Sequence, residues 1–441
     1  MTTACFLSRL LLCLAPCLLL ACFAQPAGAR AGDDLRLSWD WSGVIGTGQS
    51  LAVGEGGKPV LSTIQPYNNL KLSTGNLPWP IDPTDPALAL VPLTEPDGRY
   101  STNYPSSWPM NLAGETPHSA MANQITAMAR AAGRDYTGVH SEVGENGQCM
   151  IYLRKNPEKK GVNGRSYEAA LTETRAITRL ARAAGKSYGV GAIIVTHGEC
   201  DAGNVHYAQD LHQLWSDYNS DLPAITGQTQ ALQMIVSQQN SINDRCPSTL
   251  AQWKVGVDHP ESIVCSGPKY QYPYSDGVHL NAQGYRMLGE KYGQIYFERV
   301  VRGRNWQPLQ PVSASRKGAV VTVRFHVPTP PLAWDAQMDP PHAATPEWKS
   351  GRGFEIVRAD GSKAAIQSAA ISGDTVVLTC ESDPGRGARV SYALYGEKEK
   401  MKAPHPGTAR WGLLRDSDPF RGAVTGAAQP NYSVAFELPL D

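Results

Sequence analysis

The chain has 441 residues, with Lys+Arg 40 against Asp+Glu 40, 41% hydrophobic and 18% charged residues, 42 glycines and 33 prolines. At about 100–200 residues per domain, that is more than one small unit and leaves ample chain for a core. Zero net charge, with no long run of either sign, lacks the Lys/Arg excess of nucleic-acid binders and polybasic membrane-surface proteins, so a neutral or small-molecule partner is expected.

Four of the 9 cysteines, Cys5, Cys13, Cys17 and Cys22, fall in an opening segment with Arg9, an apolar run over 10–23 and small-residue endings at Ala27-Gly28-Ala29 and Ala29-Arg30-Ala31. This pattern predicts a signal peptide over 1–29. A competing reading takes Leu19-Leu20-Ala21-Cys22 as a lipoprotein signal with Cys22 acylated. No later run reaches the ~18 apolar residues of a spanning helix. A secreted or periplasmic protein without a transmembrane segment is expected, in a compartment where disulfides persist.

Alternating apolar residues over 35–45 predict a strand leading into the Gly-rich turn Gly46-Thr47-Gly48-Gln49-Ser50. Residues 57–118 are rich in Pro, Gly, Asn and Thr and predict long surface loops. Helical spacing begins at Ser119, a candidate N-cap, and stops at Gly133. A strand over 135–143 and a helix over 166–184 follow, then a continuous apolar run over 188–196 that reads as a strand buried on both faces. The alternation continues with a helix over 205–219, a strand over 231–238, a helix over 247–255, a short strand over 262–266 and a helix over 281–301. Such alternation predicts an α/β fold with a doubly wound parallel sheet, whose ligand sites lie beyond the carboxyl ends of its strands.

The pattern changes near Trp306. Runs over 319–325, 353–357, 375–379 and 390–395, separated by turns such as 359–362, predict a small all-β, sandwich-like domain. The expected organisation is thus a leader over 1–29, an α/β domain over 33–305 and a β domain over 307–441.

Three short segments sit where strands end: Gly48-Gln49-Ser50-Leu51, His197-Gly198-Glu199-Cys200-Asp201 and Asp276-Gly277-Val278-His279. A serine on a tight turn is a weak nucleophile without a base. His279 can be that base, and Asp276 three residues earlier can hold its other ring nitrogen.

In this order, with the Gly-rich segment around Gly144 and Gly147 and the block DGVHLNAQGY, the sequence resembles the SGNH (GDSL-type) hydrolases, most closely the branch of carbohydrate acetylesterases and sialate O-acetylesterases. The resemblance covers about residues 40–302. It implies a flavodoxin-like three-layer fold and a serine esterase with Ser50 as nucleophile, His279 as general base and Asp276 as its orienter. The N–H groups of Ser50 and of Gly147, with Gly144 as the alternative, are expected to form the oxyanion hole. The third block departs from the family's Gly-x-Asn form, since Gly198-Glu199-Cys200 carries no asparagine. A side-chain donor is then sought at His197, with Asn146 second. Gln49, Glu199 and Asp201 are expected to support the site.

The resemblance implies no metal and no organic cofactor. His118, His140, His206 and His212 have no acidic partner at ligand spacing. Glu168, Glu173, Arg175, Arg179 and Arg182 read as a solvated helix face. Trp79, Tyr104 and Trp108 read equally as a stacking floor for a sugar ring and as local core plugs. Of the remaining cysteines, Cys246 and Cys265 enclose 18 residues, and a bridge there would stiffen the loop that follows. In the implied fold Cys149 and Cys200 lie on neighbouring loops and make a second candidate pair, leaving Cys380 as a buried thiol. The expected activity is removal of O-acetyl groups from a carbohydrate or glycan. The rivals are another SGNH activity, such as a lipase or arylesterase, and a non-catalytic glycan-binding surface protein.

Overall fold

The computed structural model describes residues 1, 35–75, 81–97, 114–158, 164–242, 244–396 and 409–440. The proposed leader with Cys22, and Trp79, Tyr104 and Trp108, lie outside them.

Seven strands form the main sheet: β1 Trp41–Gly48, β2 Leu70–Leu72, β3 Leu90–Pro92, β4 Gly138–Glu142, β5 Tyr188–Thr196, β6 Gln233–Gln238 and β7 Ile263–Pro268. Their order is β3-β2-β4-β1-β5-β6-β7, and every pairing is parallel except that of β2 with β3. The helices are α1 Pro117–Ala131, α2 Met150–Leu153, α3 Ser166–Ala183, α4 Tyr207–Thr226, α5 Pro247–Asp258 and α6 Ala282–Tyr296, the last running into a π-helical turn Phe297–Val301.

Strand periodicity divides the core. Ala192 and Ile194 of β5 join Val44, Ile235 and Val264 against Met121 and Ile125 of α1 and Leu288 and Tyr292 of α6. The alternate residues Ile193 and Val195 join Ile45, Met234 and Val236 against α3, α4 and α5. Burial on both faces explains why all nine residues of β5 are buried. Because β1 has β4 on one side and β5 on the other, the chain changes direction across the sheet at β1, and the crevice at its carboxyl end is where such sheets hold ligands.

Several boundaries differ from expectation. The first strand starts at Trp41, because Leu35 and Leu37 instead pack on the α1/α6 layer and the Arg36 N–H bonds to the Val301 carbonyl at 2.6 Å. Helix α4 runs past 219 to Gly227, which stops it in the left-handed region at φ 81°. Glu173 is buried, so the charged face of α3 is narrower than its pattern implied. The loops before α1 are stapled by carboxylates. Glu115 accepts the N–H groups of Leu61 at 2.6 Å and Ser62 at 3.0 Å, and Glu95 accepts the hydroxyls of Thr116 at 2.6 Å and Ser119 at 3.0 Å. Burial, with Asp97 and Glu115 nearby, pushes the Glu95 carboxyl well above its usual range.

After the π turn the chain is β-rich: β8 Gln310–Lys317, β9 Val320–His326, β10 Ala333–Trp334, β11 Phe354–Val357, β12 Ile366–Ser372, β13 Thr375–Cys380, β14 Arg389–Tyr392, β15 Leu414–Arg415 and β16 Phe436–Pro439. A four-stranded sheet, β12-β13-β9-β8, and a three-stranded sheet, β11-β14-β16, share one core, with β10 paired to β15 beside them. Val321, Val323, Val376 and Leu378 from the first sheet meet Phe354, Ile356, Val390 and Phe436 from the second. Cys265 and Tyr270, from the α/β part, belong to that same core, and residues Leu35–Asp441 form one compact unit. Among the described residues no helix is long and apolar enough to cross a membrane.

Candidate active site

Ser50 follows the last residue of β1 by two positions, at the crevice beside β5. Gly48 allows the turn: its φ is 145°, and a Cβ there would lie 2.1 Å from the Thr196 carbonyl oxygen. Gln49 links two blocks, because its side-chain oxygen accepts the Cys200 N–H at 3.0 Å.

Asp276 and His279 lie on the connection from β7 to α6. A bridge between Tyr274 and Leu280, and a bond from the Ser275 N–H to the His279 carbonyl at 2.9 Å, close this segment into a tight loop. Asp276 Oδ1 accepts the N–H groups of Val278 and His279, each at 2.7 Å, and Oδ2 lies 2.8 Å from His279 Nδ1. Burial would raise this carboxyl, but those hydrogen bonds hold it below its usual range. His279 Nε2 lies 2.9 Å from Ser50 Oγ, across 229 positions of sequence. An ionised Asp276 requires the proton on Nδ1, which leaves the Nε2 lone pair facing the serine hydroxyl.

The second block rests on a buried polar chain. Glu142, at the end of β4, accepts the Gly144 N–H at 2.6 Å through Oε1 and lies 2.9 Å from His118 Nε2 through Oε2. His118 Nδ1 is 3.0 Å from His140 Nδ1. Gly46 makes room for the pair, since a Cβ there would fall 2.0 Å from His118 Nε2 and 2.1 Å from Glu142 Oε2. His118 therefore has an acidic partner, Glu142, that its spacing in sequence did not show, and His140 joins the chain through His118. His140 and Glu142 share one face of β4, and both meet His118 of α1 there. Burial raises the Glu142 carboxyl and lowers His140 well below its ordinary value. Among the described residues no group of three or more His, Cys, Asp and Glu side chains is gathered as for a metal ion. The Gly144 N–H is thus committed, whereas Gly147 is exposed in the turn ahead of α2 at φ 71°.

In the third block His197 does not take the expected position. Its ring is fully buried, Nε2 donates to the Gln148 carbonyl at 2.9 Å, and Nδ1 accepts the Tyr207 hydroxyl at 2.6 Å. Burial lowers its pKa and favours the neutral ring, so its one N–H is already used and none is left for an oxyanion. Asn146 instead stands at the rim, its amide 3.5 Å from Glu55 Oε2. Asp201 accepts the Met150 N–H, at the start of α2, at 2.8 Å. Glu199 is buried against Lys269 at 3.0 Å. Burial would raise Glu199, but the Lys269 charge holds it below its ordinary value. Lys269 was not anticipated: a lone lysine beside Pro268 carries no sequence signal for a partner 70 residues away.

Cys149 and Cys200 form a disulfide between the second and third blocks. The expected Cys246–Cys265 bridge is not formed: both side chains are buried thiols, as is that of Cys380. Cys246 caps α5, with its thiol 2.6 Å from the Ile242 carbonyl, whereas Cys265 faces the β-rich core from β7. Burial pushes the Cys265 thiol up to about 12. A cleft of about 1000 Å³ lined by Trp39, Tyr67 and Arg130 lies at the amino ends of the strands, opposite Ser50, and holds none of these residues.

No protein-family model and no curated protein matches the chain. Among solved structures, a carbohydrate acetylesterase from Xanthomonas citri superposes with a TM-score of 0.54 at 13% identity, covering 90% of this chain and 80% of its own, so the likeness extends into the β-rich region. NanS matches at a TM-score of 0.38 and 13% identity over 59% of this chain and 98% of its own. A carbohydrate acetylesterase from Sinorhizobium meliloti matches at 0.31 and 12% identity over 58% and 97%. At such identities the likeness is one of fold alone: a mostly parallel α/β sheet followed by further all-β sheets.

Proposed function

We propose that the protein is a serine esterase that removes O-acetyl groups from a carbohydrate or glycan. The observation that carries this reading is the relay Ser50 Oγ, His279 Nε2 and Nδ1, Asp276 Oδ2, with spacings of 2.9 and 2.8 Å. Ser50 Oγ attacks the acetyl carbonyl while its proton passes to His279 Nε2, and Asp276 stabilises the imidazolium. The tetrahedral oxyanion takes the N–H groups of Ser50 and Gly147; the commitment of the Gly144 N–H to Glu142 favours Gly147. His279 then returns the proton to the departing sugar oxygen, leaving acetyl-Ser50. A water deprotonated by His279 attacks that ester, releasing acetate and restoring the serine. The side chains named suffice for both half-reactions.

The fold likeness to a carbohydrate acetylesterase supports the choice of substrate class. The disulfide supports export to an oxidising compartment after loss of residues 1–29, or with Cys22 acylated. The N-terminal mass of the protein from its native host separates those two routes. For the activity itself, acetate release from p-nitrophenyl acetate and from acetylated xylan and acetylated sialic acid is measured for the wild type and Ser50→Ala. Equal rates in both would remove the esterase reading.

A further inference from the structure

The loop that carries Asp276 and His279 is held by the β-rich region as well as by the sheet. It leaves β7 as Lys269-Tyr270-Gln271-Tyr272-Pro273-Tyr274. Tyr270 points into the β-rich core, edge-on to Tyr432 at 6.0 Å, and its hydroxyl donates to the Ser433 carbonyl at 3.0 Å. Tyr272, two residues on, turns the other way and packs in the α1/α6 layer. Tyr274 ends the run, and its hydroxyl accepts from the Asn240 amide at 3.2 Å.

Asn240 follows β6, and Arg410 of the β-rich region grips that segment. The Arg410 side chain is buried, and its guanidinium donates to the carbonyls of Asn240 at 3.3 Å and Gln239 at 3.4 Å, to Gln239 Oε1 at 3.3 Å and to Thr249 Oγ1 at 3.1 Å. All four acceptors belong to the α/β part. A planar fork with five donors fits such a cluster, and no lysine would span it.

We propose that Arg410 is a positioning residue for hydrolysis, and that the β-rich region sets the placement of the acid–base loop through Arg410, Asn240 and Tyr274. The inference rests on the esterase reading above. A bridge closes the segment from Tyr274 to Leu280, and Ser50 stands on a different element, so a displacement of Tyr274 would be carried into the His279–Ser50 spacing. Misplacement of a reacting group by about 1 Å can lower a rate on the order of 10²-fold.

The test uses the full chain with p-nitrophenyl acetate and the variants Arg410→Ala, Tyr274→Phe and their combination, with Ser50→Ala as the inactive reference. Arg410→Ala is expected to lower kcat about 10- to 100-fold with KM changed less than about 2-fold. Tyr274→Phe keeps the ring packing and is expected to lower kcat in the same direction. The double variant is expected to be no slower than the worse single variant, because both cut one linkage. Hydrogen exchange in residues 270–280 is expected to quicken in Arg410→Ala, independently of activity. Unchanged kcat in Arg410→Ala overturns the proposal. So do multiplicative losses in the double variant, and so does a lower kcat without faster exchange in that loop. A wild type as inactive as Ser50→Ala would refute the esterase reading instead, and the exchange measurement would still decide the linkage.

Discussion

Replacing Lys269 with methionine keeps the length of the side chain and removes its charge, leaving Glu199 alone in the third block. At the observed 3.0 Å, with an effective dielectric of about 20, the attraction between the two is about 5.5 kcal/mol. Desolvating two buried ions costs a comparable amount, so the pair as a whole adds little net stability, yet removing one partner strands a buried charge. Lys269→Met is therefore expected to destabilise the protein by about 3–5 kcal/mol at neutral pH. Adding Glu199→Gln should recover most of that loss.

The pH dependence carries a sign. In the wild type Glu199 is held below its usual value of 4.5, so its contribution is fully present above that pH and is lost as pH falls through the lower folded value. In Lys269→Met the main opposing charge is gone and burial raises the carboxyl, so the folded variant takes up a proton before the unfolded chain does. The stability gap between wild type and variant should then narrow as pH falls from 7 towards about 4.5. Urea unfolding followed by tryptophan fluorescence at several pH values measures it. A gap under about 1 kcal/mol at pH 7, a gap that stays constant to pH 4.5, or a double variant as unstable as the sum of the single changes would each show that Lys269 does not neutralise Glu199 in the fold.

Asp276→Asn should lower kcat on the order of 10²–10⁴-fold by favouring the wrong imidazole tautomer, with retained activity across the pH range as the contrary result in steady-state assays. Gly46→Ala drives a methyl into the His118–Glu142 pair and should lower the urea midpoint by the equivalent of at least about 2 kcal/mol; an unchanged midpoint would show that the buried chain yields freely. Cys149→Ser/Cys200→Ser opens a bridge of sequence separation 51, and loop entropy predicts a loss of about 4 kcal/mol, read as a fall in thermal midpoint that reducing agent reproduces in the wild type.

Much of this was legible along the chain because it is local. The apolar run of β5, the positive-φ glycine before Ser50, and the three-residue spacing that lets Asp276 accept the His279 N–H and meet its ring are set by neighbours in sequence. Pairing over long separations was not. Cys246 and Cys265 looked paired from spacing alone, but their elements turn the thiols to different surroundings, and His197 looked like a donor until Gln148 and Tyr207 took both ring nitrogens. Glu142 with His118, Glu199 with Lys269, and Arg410 with the β6 loop share the same reason. Burial strength and hydrogen-bond geometry depend on which strands lie side by side, and that order exists only once the sheet and the β-rich region have packed. Local pattern marked most strands and helices of the main sheet, though not β2 and β3 inside the stretch read as loops, and it supplied the three residues of the candidate relay. That a serine at the end of β1 and a histidine 229 positions later stand 2.9 Å apart follows from packing, because the parallel crossovers bring both to the same end of the sheet.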